Sequence, residues 1–113
     1  ANYFKFIERA RSKLIESLNI DQRALLLKEK KIFVVKNITA DYQLPAYFGD
    51  NLVICTSLVE LKKASMVLKQ VILREDKKIF DSIVRLALLN SSEKPEKFSV
   101  DMVLDIKKFF KLK

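Results

Sequence analysis

The hydrophobic residues between positions 2 and 18 recur at intervals of three and four, which is the pattern of an amphipathic helix. Its apolar positions are Phe6, Ile7, Ala10, Leu14, Ile15 and Leu18. Its polar positions are Lys5, Glu8, Arg9, Arg11, Ser12, Lys13 and Glu16. No later segment predicts another long core helix before position 99. The pattern therefore predicts one long helix that covers the apolar face of a sheet built from the strands that follow.

A short helix and then a change of period come next. Asp21 is a suitable N-cap for a helix over residues 22–30. From position 32 the hydrophobic residues alternate with polar ones, which predicts a half-buried strand that Pro45 ends. The apolar face of this strand consists of Ile38, Ala40, Tyr42 and Leu44.

Three further strands are predicted at residues 52–61, 65–74 and 79–89, with a polar hairpin loop at 75–78. Consecutive strands joined by short polar turns are typical of an antiparallel meander. Both faces of the segment 52–61 are apolar, so we expect this strand to be covered on both sides. Ser99 is a suitable N-cap for a closing helix that follows at 99–110. The fold class is therefore α+β, in a single domain spanning residues 1–113.

Composition excludes several kinds of chemistry. The chain has no histidine, which removes Ser-His and Cys-His nucleophilic sites and nearly all ordinary zinc sites. Gly49 is the single glycine, so a glycine-rich phosphate loop is excluded. Cys55 cannot form an internal disulfide and is expected to be a small buried hydrophobe in a reducing, cytoplasmic compartment. We expect no membrane span and no metal.

The formal net charge of +8 favours an anionic partner. Nucleic acid, a phosphorylated cofactor, an acidic protein and a membrane surface all remain open, as does a simple role of the lysines in solubility. Nucleic acid is the weakest of these. The aromatic residues occupy core-like positions instead of forming a stacking platform with basic residues. These aromatic residues are Phe33, Tyr42, Tyr47 and Phe80.

Several segments, in this order, resemble the hotdog-fold acyl-CoA thioesterases. They are NYFKFIERAR at 2–11, LNIDQRALL at 18–26, FVVKNITADYQLPAYFGD at 33–50, TSLVELKKASMVLKQVI at 56–72 and LLNSSEKPEKF at 88–98. The branch is the 4-hydroxybenzoyl-CoA thioesterase type, and within it the bacterial YbgC type. The resemblance implies a long central helix wrapped by a curled antiparallel sheet. It also implies hydrolysis of acyl-CoA or acyl-carrier-protein thioesters by a homodimer or homotetramer, with no cofactor beyond the coenzyme A of the substrate.

The sequence departs from the family pattern at its start. In the family a strand and a loop of the form D-x-D-x-x-G-x-V-Y-H precede A-N-Y, and here Ala1 is the alanine of A-N-Y. The family's catalytic aspartate would therefore fall ahead of residue 1. A shortened form and a gene product that lost its first strand are both open. We expect a sheet edge left without that strand to pair with another chain.

The resemblance assigns the polarising half of the catalytic site to the start of the first helix. Asn2 and Tyr3 match the positions where backbone N–H groups face the thioester carbonyl. Glu8 is a weaker candidate for the catalytic carboxylate, because related enzymes place one inside this helix. The alternative is that Glu8 is a structural residue paired with a neighbouring Arg9 or Arg11.

Two further groups match substrate-binding positions of the family. Val34 and Val35 match the lining of the acyl pocket, although strand residues would be apolar in any case. Lys62, Lys63 and Ser65 match the positions that bind the phosphates of coenzyme A, although they also suit a solvated turn. The predicted function is thus an acyl-CoA thioesterase. The alternative is an impaired hotdog remnant that binds acyl-CoA or a partner chain without hydrolysis.

Overall fold

The computed structural model describes residues 3–47 and 49–112, apart from the side chain of Phe4. Three helices and a four-stranded antiparallel sheet make up an α+β fold, as predicted. In chain order the elements are α1 Tyr3–Ser17, α2 Gln22–Glu29, β1 Ile32–Tyr42, β2 Leu52–Leu61, β3 Ser65–Arg74, β4 Lys77–Leu89 and α3 Val100–Phe109. None of the helices in the described residues is long and apolar enough to cross a bilayer.

The strand order is β1-β4-β3-β2, so β1 and β2 form opposite edges of the sheet. β2, β3 and β4 form an antiparallel meander. β1 pairs with β4 instead of with β2, so the prediction that the meander includes the first strand is wrong. The segment 43–51 runs from one edge to the other. It must cover three strand spacings, about 14 Å, which nine residues do easily.

Local sequence signals fix the helix ends. The Asp21 carboxylate accepts a hydrogen bond from the Ala24 N–H at 3.0 Å, and the Ser99 hydroxyl accepts one from the Met102 N–H at 3.1 Å. Both predicted N-caps are therefore confirmed.

The predicted four-residue loop at 75–78 is wrong. Lys77 and Lys78 already pair with Arg74 and Leu73, so the turn contains only two residues. Those two residues, Glu75 and Asp76, both have positive φ, as a tight hairpin turn requires.

Helix α1 packs on one face of the sheet and buries two separate apolar clusters. One cluster lies near the α1 start and contains Tyr3, Ile7, Ile72, Ile79 and Phe80. The larger one includes Leu14 and Ile15 of α1 and Leu18 just after it. Leu25 of α2 and Ile106 of α3 belong to the same cluster. The predicted apolar face of α1 is thus largely confirmed.

A buried polar layer lies between the two clusters. Arg11 was predicted on the polar face of α1, but it is 9% exposed and faces the sheet. Its Nη1 donates to Oε1 of Gln70 at 3.1 Å, and Nε2 of Gln70 donates to the carbonyl of Ile7 at 3.1 Å. Ser82 pairs with Gln70 across β3 and β4, and its buried hydroxyl has no partner among the described residues. Burial lowers the pKa of Arg11, and the charge of Glu8 opposes that shift.

The opposite face of β2 is open. Cys55, Val53 and Val59 are exposed, so the predictions of a strand covered on both sides and of a buried Cys55 are wrong. The physical reason is that α1 covers one sheet face only and β2 lies at an edge. Tyr42 and Tyr47 are also exposed, so two of the four aromatic residues assigned to the core lie outside it.

Replacing Gln70 by Leu should lower the free energy of unfolding by about 2–4 kcal/mol, because it leaves the buried Arg11 guanidinium without its acceptor. The double variant Arg11→Met/Gln70→Leu should recover most of that loss, because it removes both polar partners together. Urea denaturation of both variants and the wild type provides the measurement. A Gln70→Leu variant as stable as the wild type would show that the layer contributes nothing.

Candidate functional site

A cavity of about 450 Å³ lies at the start of α1, where the helix meets the end of β1. Its lining consists of Tyr3, Tyr42, Gln43, Leu44, Pro45 and Ala46. The Tyr3 hydroxyl donates to the Leu44 carbonyl at 3.0 Å, which ties the helix to the segment after β1. The Tyr3 ring also stacks against Tyr42, with centroids 5.5 Å apart. Tyr3, predicted to contact substrate, is therefore part of a cavity.

The polar end of α1 faces this region. The first N–H groups of a helix have no acceptor within the helix, and the helix dipole adds partial positive charge there. The first turn of α1, from Tyr3 on, carries no acidic side chain that would neutralise it. Asn2, the other predicted residue at the helix start, lies outside the described residues.

The segment after β1 is held by an ion pair that the sequence analysis did not find. Asp50 accepts hydrogen bonds from the Tyr47 N–H at 2.7 Å and from Nη1 of Arg74 at 3.0 Å. Nη1 of Arg74 also donates to the carbonyl of Pro45 at 2.8 Å. The Tyr47 N–H and then Arg74 lower the pKa of Asp50. No spacing in the sequence links Asp50 with a residue 24 positions later.

Glu8 does not line the cavity. Its side chain is exposed on α1, so the desolvation by apolar neighbours that would suit a catalytic base is not found within the described residues. Its electrostatic influence on the buried Arg11 is the effect that the structure records. Its role in catalysis stays a hypothesis.

Val34 and Val35 lie in the first half of β1, far from the cavity of the same chain. Val35 lies seven positions before Tyr42, which is about 23 Å along a strand. Val35 pairs with Leu86 on the α1 side of the sheet and is 44% exposed. A single copy therefore does not bring the predicted acyl-pocket residues to Tyr3.

Lys62, Lys63 and Ser65 come together at the turn between β2 and β3. The Lys62 N–H donates to the Ser65 carbonyl at 2.8 Å, and both lysine side chains are exposed. Ser65 and Val34 pair with the same residue of β4, Ala87, so this turn lies at the Val34 end of the sheet. The predicted phosphate-binding group and the cavity therefore lie toward opposite ends of the sheet.

A further cation, Arg85, joins this turn. Its Nη1 donates to the Ser65 hydroxyl at 3.2 Å, and its Nη2 lies 3.3 Å from a carboxylate oxygen of Glu60. The other oxygen of Glu60 lies 3.4 Å from Nζ of Lys62. Glu60 and Arg85 both pair with Val67 of β3, from opposite sides. A β-bulge between Leu58 and Glu60 turns Glu60 toward Arg85. Because the bulge has no clear sequence signal, the role of Arg85 was not predicted.

No group of three or more Cys, Asp or Glu side chains within the described ranges is arranged to hold a metal ion. The arrangement offers instead a cavity beside a helix start and a basic turn at the far end of the sheet.

Residues 1–80 match the protein-family model described as the Thioesterase superfamily. The chain is 32% identical over 90 residues to the acyl-CoA thioesterase YbgC of Haemophilus influenzae, covering 80% of this chain and 66% of that protein. It is 41% identical over 70 residues to the acyl-CoA thioesterase YbgC of Helicobacter pylori, covering 62% of this chain and 50% of that protein. The matches thus span between half and two thirds of the length of these curated relatives.

A solved structure, a probable thioesterase from Bartonella henselae, superimposes with a TM-score of 0.79 at 26% sequence identity. The superposition covers 88% of this chain and 82% of that one. The cavity residues and the basic turn at Lys62 both fall inside the segment that matches the family model.

The lowered pKa of Asp50 has a consequence for acid stability. The stabilisation is fully present above the pKa of an unfolded aspartate, about 4, and is lost as the pH falls through the lower folded value. Asp50→Asn should therefore unfold more easily at pH 6 and lose less stability than the wild type between pH 4 and 2. Thermal melting at each pH measures this, with the exposed Glu93→Gln as the control. If the melting temperatures of the wild type and Asp50→Asn changed with pH in parallel, this prediction would be wrong.

Proposed function

This chain belongs to the Thioesterase superfamily, and we propose that it hydrolyses acyl-CoA or acyl-carrier-protein thioesters to the free acid and the thiol. The main support for this proposal is the cavity between the start of α1 and residues 42–46, which lies inside the segment that matches the family model. The YbgC relatives are acyl-CoA thioesterases by name, which supports the same reaction here. In that family α1 would be the central helix of the hotdog fold.

In the proposed reaction the thioester carbonyl oxygen points at the first N–H groups of α1. Negative charge develops on this oxygen when a nucleophile adds to the carbonyl carbon. Free N–H groups and the helix dipole interact more strongly with this developing charge than with the smaller charge on the carbonyl oxygen of the bound substrate, so they lower the barrier to the reaction. Tyr3 holds the helix start against Leu44, so the donors are already in place before the substrate binds.

The attacking group is the part that the cavity does not supply. No Asp or Glu is among the described residues that line it. The resemblance to the family implies an aspartate in a loop ahead of A-N-Y, which would attack the carbonyl or activate water. Glu8 is the second candidate, and its exposed position makes it the weaker one.

Coenzyme A would bind through its phosphates at the turn between β2 and β3. Lys62 and Lys63 supply exposed ammonium groups, and Ser65 supplies a hydroxyl. The Glu60 carboxylate already contacts Lys62 and Arg85 on one side of this turn. A phosphate would therefore compete with Glu60 for the same cations, which points to modest affinity.

We further propose that the complete site forms between two copies of the chain. β1 is an edge strand, and Ile32, Val35 and Tyr42 on it are exposed. Antiparallel pairing of two β1 strands near Asn37 would set Val35 of one copy close to Ala40 of the other, since both side chains lie on the α1 side of the sheet. Val35 of the second copy would then lie within about 10 Å of the cavity along the strand direction. A homodimer of this kind, alone or doubled to a homotetramer, would bring Val35 toward Tyr3. We place it in the cytoplasm, where the free thiol of Cys55 would stay reduced.

A second function, binding of acyl-CoA without hydrolysis, is favoured by the same cavity. Its described lining has hydrogen-bonding groups and apolar surface but no carboxylate. A chain that binds the thioester and lacks an attacking group would sequester the substrate unchanged.

Thiol release from short-chain and long-chain acyl-CoA distinguishes these functions. The chain should be compared with a form extended by the family's D-x-D-x-x-G-x-V-Y-H segment. We expect the extended form to turn over at least about 100-fold faster, because the segment supplies the general base or nucleophile. The control carries Asn at both aspartate positions of that segment.

Binding of both forms to acyl-CoA with no turnover by either would favour the second function. Turnover by residues 1–113 alone would make Glu8→Gln the next variant. Retention of the full rate in Glu8→Gln would then remove Glu8 as the catalytic carboxylate.

A further inference from the structure

Helices α2 and α3 each present large apolar and basic side chains on the face that points away from the core. On α2, the side opposite the buried Leu25 carries Arg23, Leu26, Leu27 and Lys30, all exposed. On α3, the side opposite the buried Ile106 carries Val100, Leu104, Lys108 and, just beyond the helix, Lys111, all exposed. Leu27 and Leu104 are 57% and 59% exposed, so these faces leave large aliphatic side chains in water.

The two helices are neighbours. Leu25 and Ile106 belong to the same apolar cluster, and α2 and α3 line one shared groove. Acidic side chains of both helices line that groove. They are Asp21 before α2, Glu29 at its end, and Asp101 and Asp105 of α3.

This part of the molecule is basic overall. Residues 22–31 and 100–112 contain seven basic and three acidic residues, and the three acidic ones all line the groove. The outward faces carry leucine and valine side chains between lysines and arginine. We call the eight exposed residues named above the helical face.

We propose that the helical face binds the surface of an anionic lipid bilayer. The lysine and arginine side chains would contact lipid phosphates, while Leu26, Leu27, Val100 and Leu104 enter the boundary between headgroups and acyl chains. Neither helix spans a bilayer, so the chain would lie on the membrane. Such binding goes beyond thioester hydrolysis and would bring the cavity close to long acyl chains.

Lipid fits this face better than the other polyanions do. A nucleic acid would contact the cations but leave the four aliphatic side chains against water or phosphate, and none of these eight residues is aromatic. An acidic protein would need an apolar surface of its own. A bilayer offers the negative charge and the apolar layer together over an area large enough for both helices.

Co-sedimentation with vesicles tests this directly. The chain should bind vesicles of phosphatidylcholine with 30% phosphatidylglycerol and should not bind phosphatidylcholine alone. Leu27→Ser/Leu104→Ser and Arg23→Glu/Lys108→Glu should each lower the partition coefficient by about tenfold or more. The matched controls are Val53→Ser/Val59→Ser on β2 and Lys77→Glu/Lys94→Glu, which changes exposed lysines at the start of β4 and in the loop after it. Both should stay within about twofold of the wild type.

The four variants alter exposed side chains only, and circular dichroism would verify that each is folded. Equal losses in the test and control variants would overturn the membrane assignment, as would equal binding to neutral and anionic vesicles. Binding to an acyl carrier protein with no binding to vesicles would assign the face to a protein partner instead. Because vesicle binding needs neither substrate nor turnover, its outcome is independent of whether hydrolysis is found.

Discussion

The contact on which the rest of the structure depends is the one between Arg11, Gln70 and the backbone of Ile7. Two hydrogen bonds of 3.1 Å fix α1 against the middle of the sheet, one through the Arg11 side chain and one through the Ile7 carbonyl, and they set a position that apolar packing alone would not set. The buried polar layer that these residues form also divides the apolar core into two clusters. On one side, Tyr3 closes the cavity against Leu44. On the other, the larger cluster anchors α2 and α3, so one buried polar row separates the part that would bind the thioester from the part that would meet the membrane.

The same geometry explains why one copy keeps the predicted substrate-binding residues apart. The cavity lies where β1 ends, whereas Val34, Val35 and the basic turn at Lys62 lie where β1 begins. A strand rises about 3.3 Å per residue, so no side chain of β1 can bridge the two ends. Antiparallel pairing of two edge strands reverses one copy and brings opposite ends together. In the proposed dimer, Val35 of one copy would then lie near the cavity of the other, without any change in the fold of either chain.

Local patterns were enough to predict most of the elements, because their causes are local. The bounds of β2 and β3 follow from alternation and flanking polar residues, and the caps Asp21 and Ser99 from a single side chain each. The position of β1 beside β4, the burial of Arg11 and the exposure of Cys55 depend on which strands become edges and which sheet face α1 covers. Of the candidate site, Tyr3 could be predicted through the family. The contacts of Asp50 with Arg74 and of Glu60 with Arg85 could not, because each joins residues more than 20 positions apart.

Complementation between two defective copies is the most direct test of a site shared by two chains. Both variants and the wild type are prepared in the form extended by the family's D-x-D-x-x-G-x-V-Y-H segment, because the described lining of the cavity holds no carboxylate. Tyr3→Ala impairs the cavity, and Val35→Gln changes the surface that a second copy would bring to it. Light scattering would first establish that both variants and their mixture form the oligomer of the wild type. In an equal mixture of the two inactive variants, about half of the dimers should be mixed, with one unaltered site each, so about a quarter of the wild-type turnover should return. Mixed dimers that form and stay inactive would contradict a site shared between copies and place all of it within one chain.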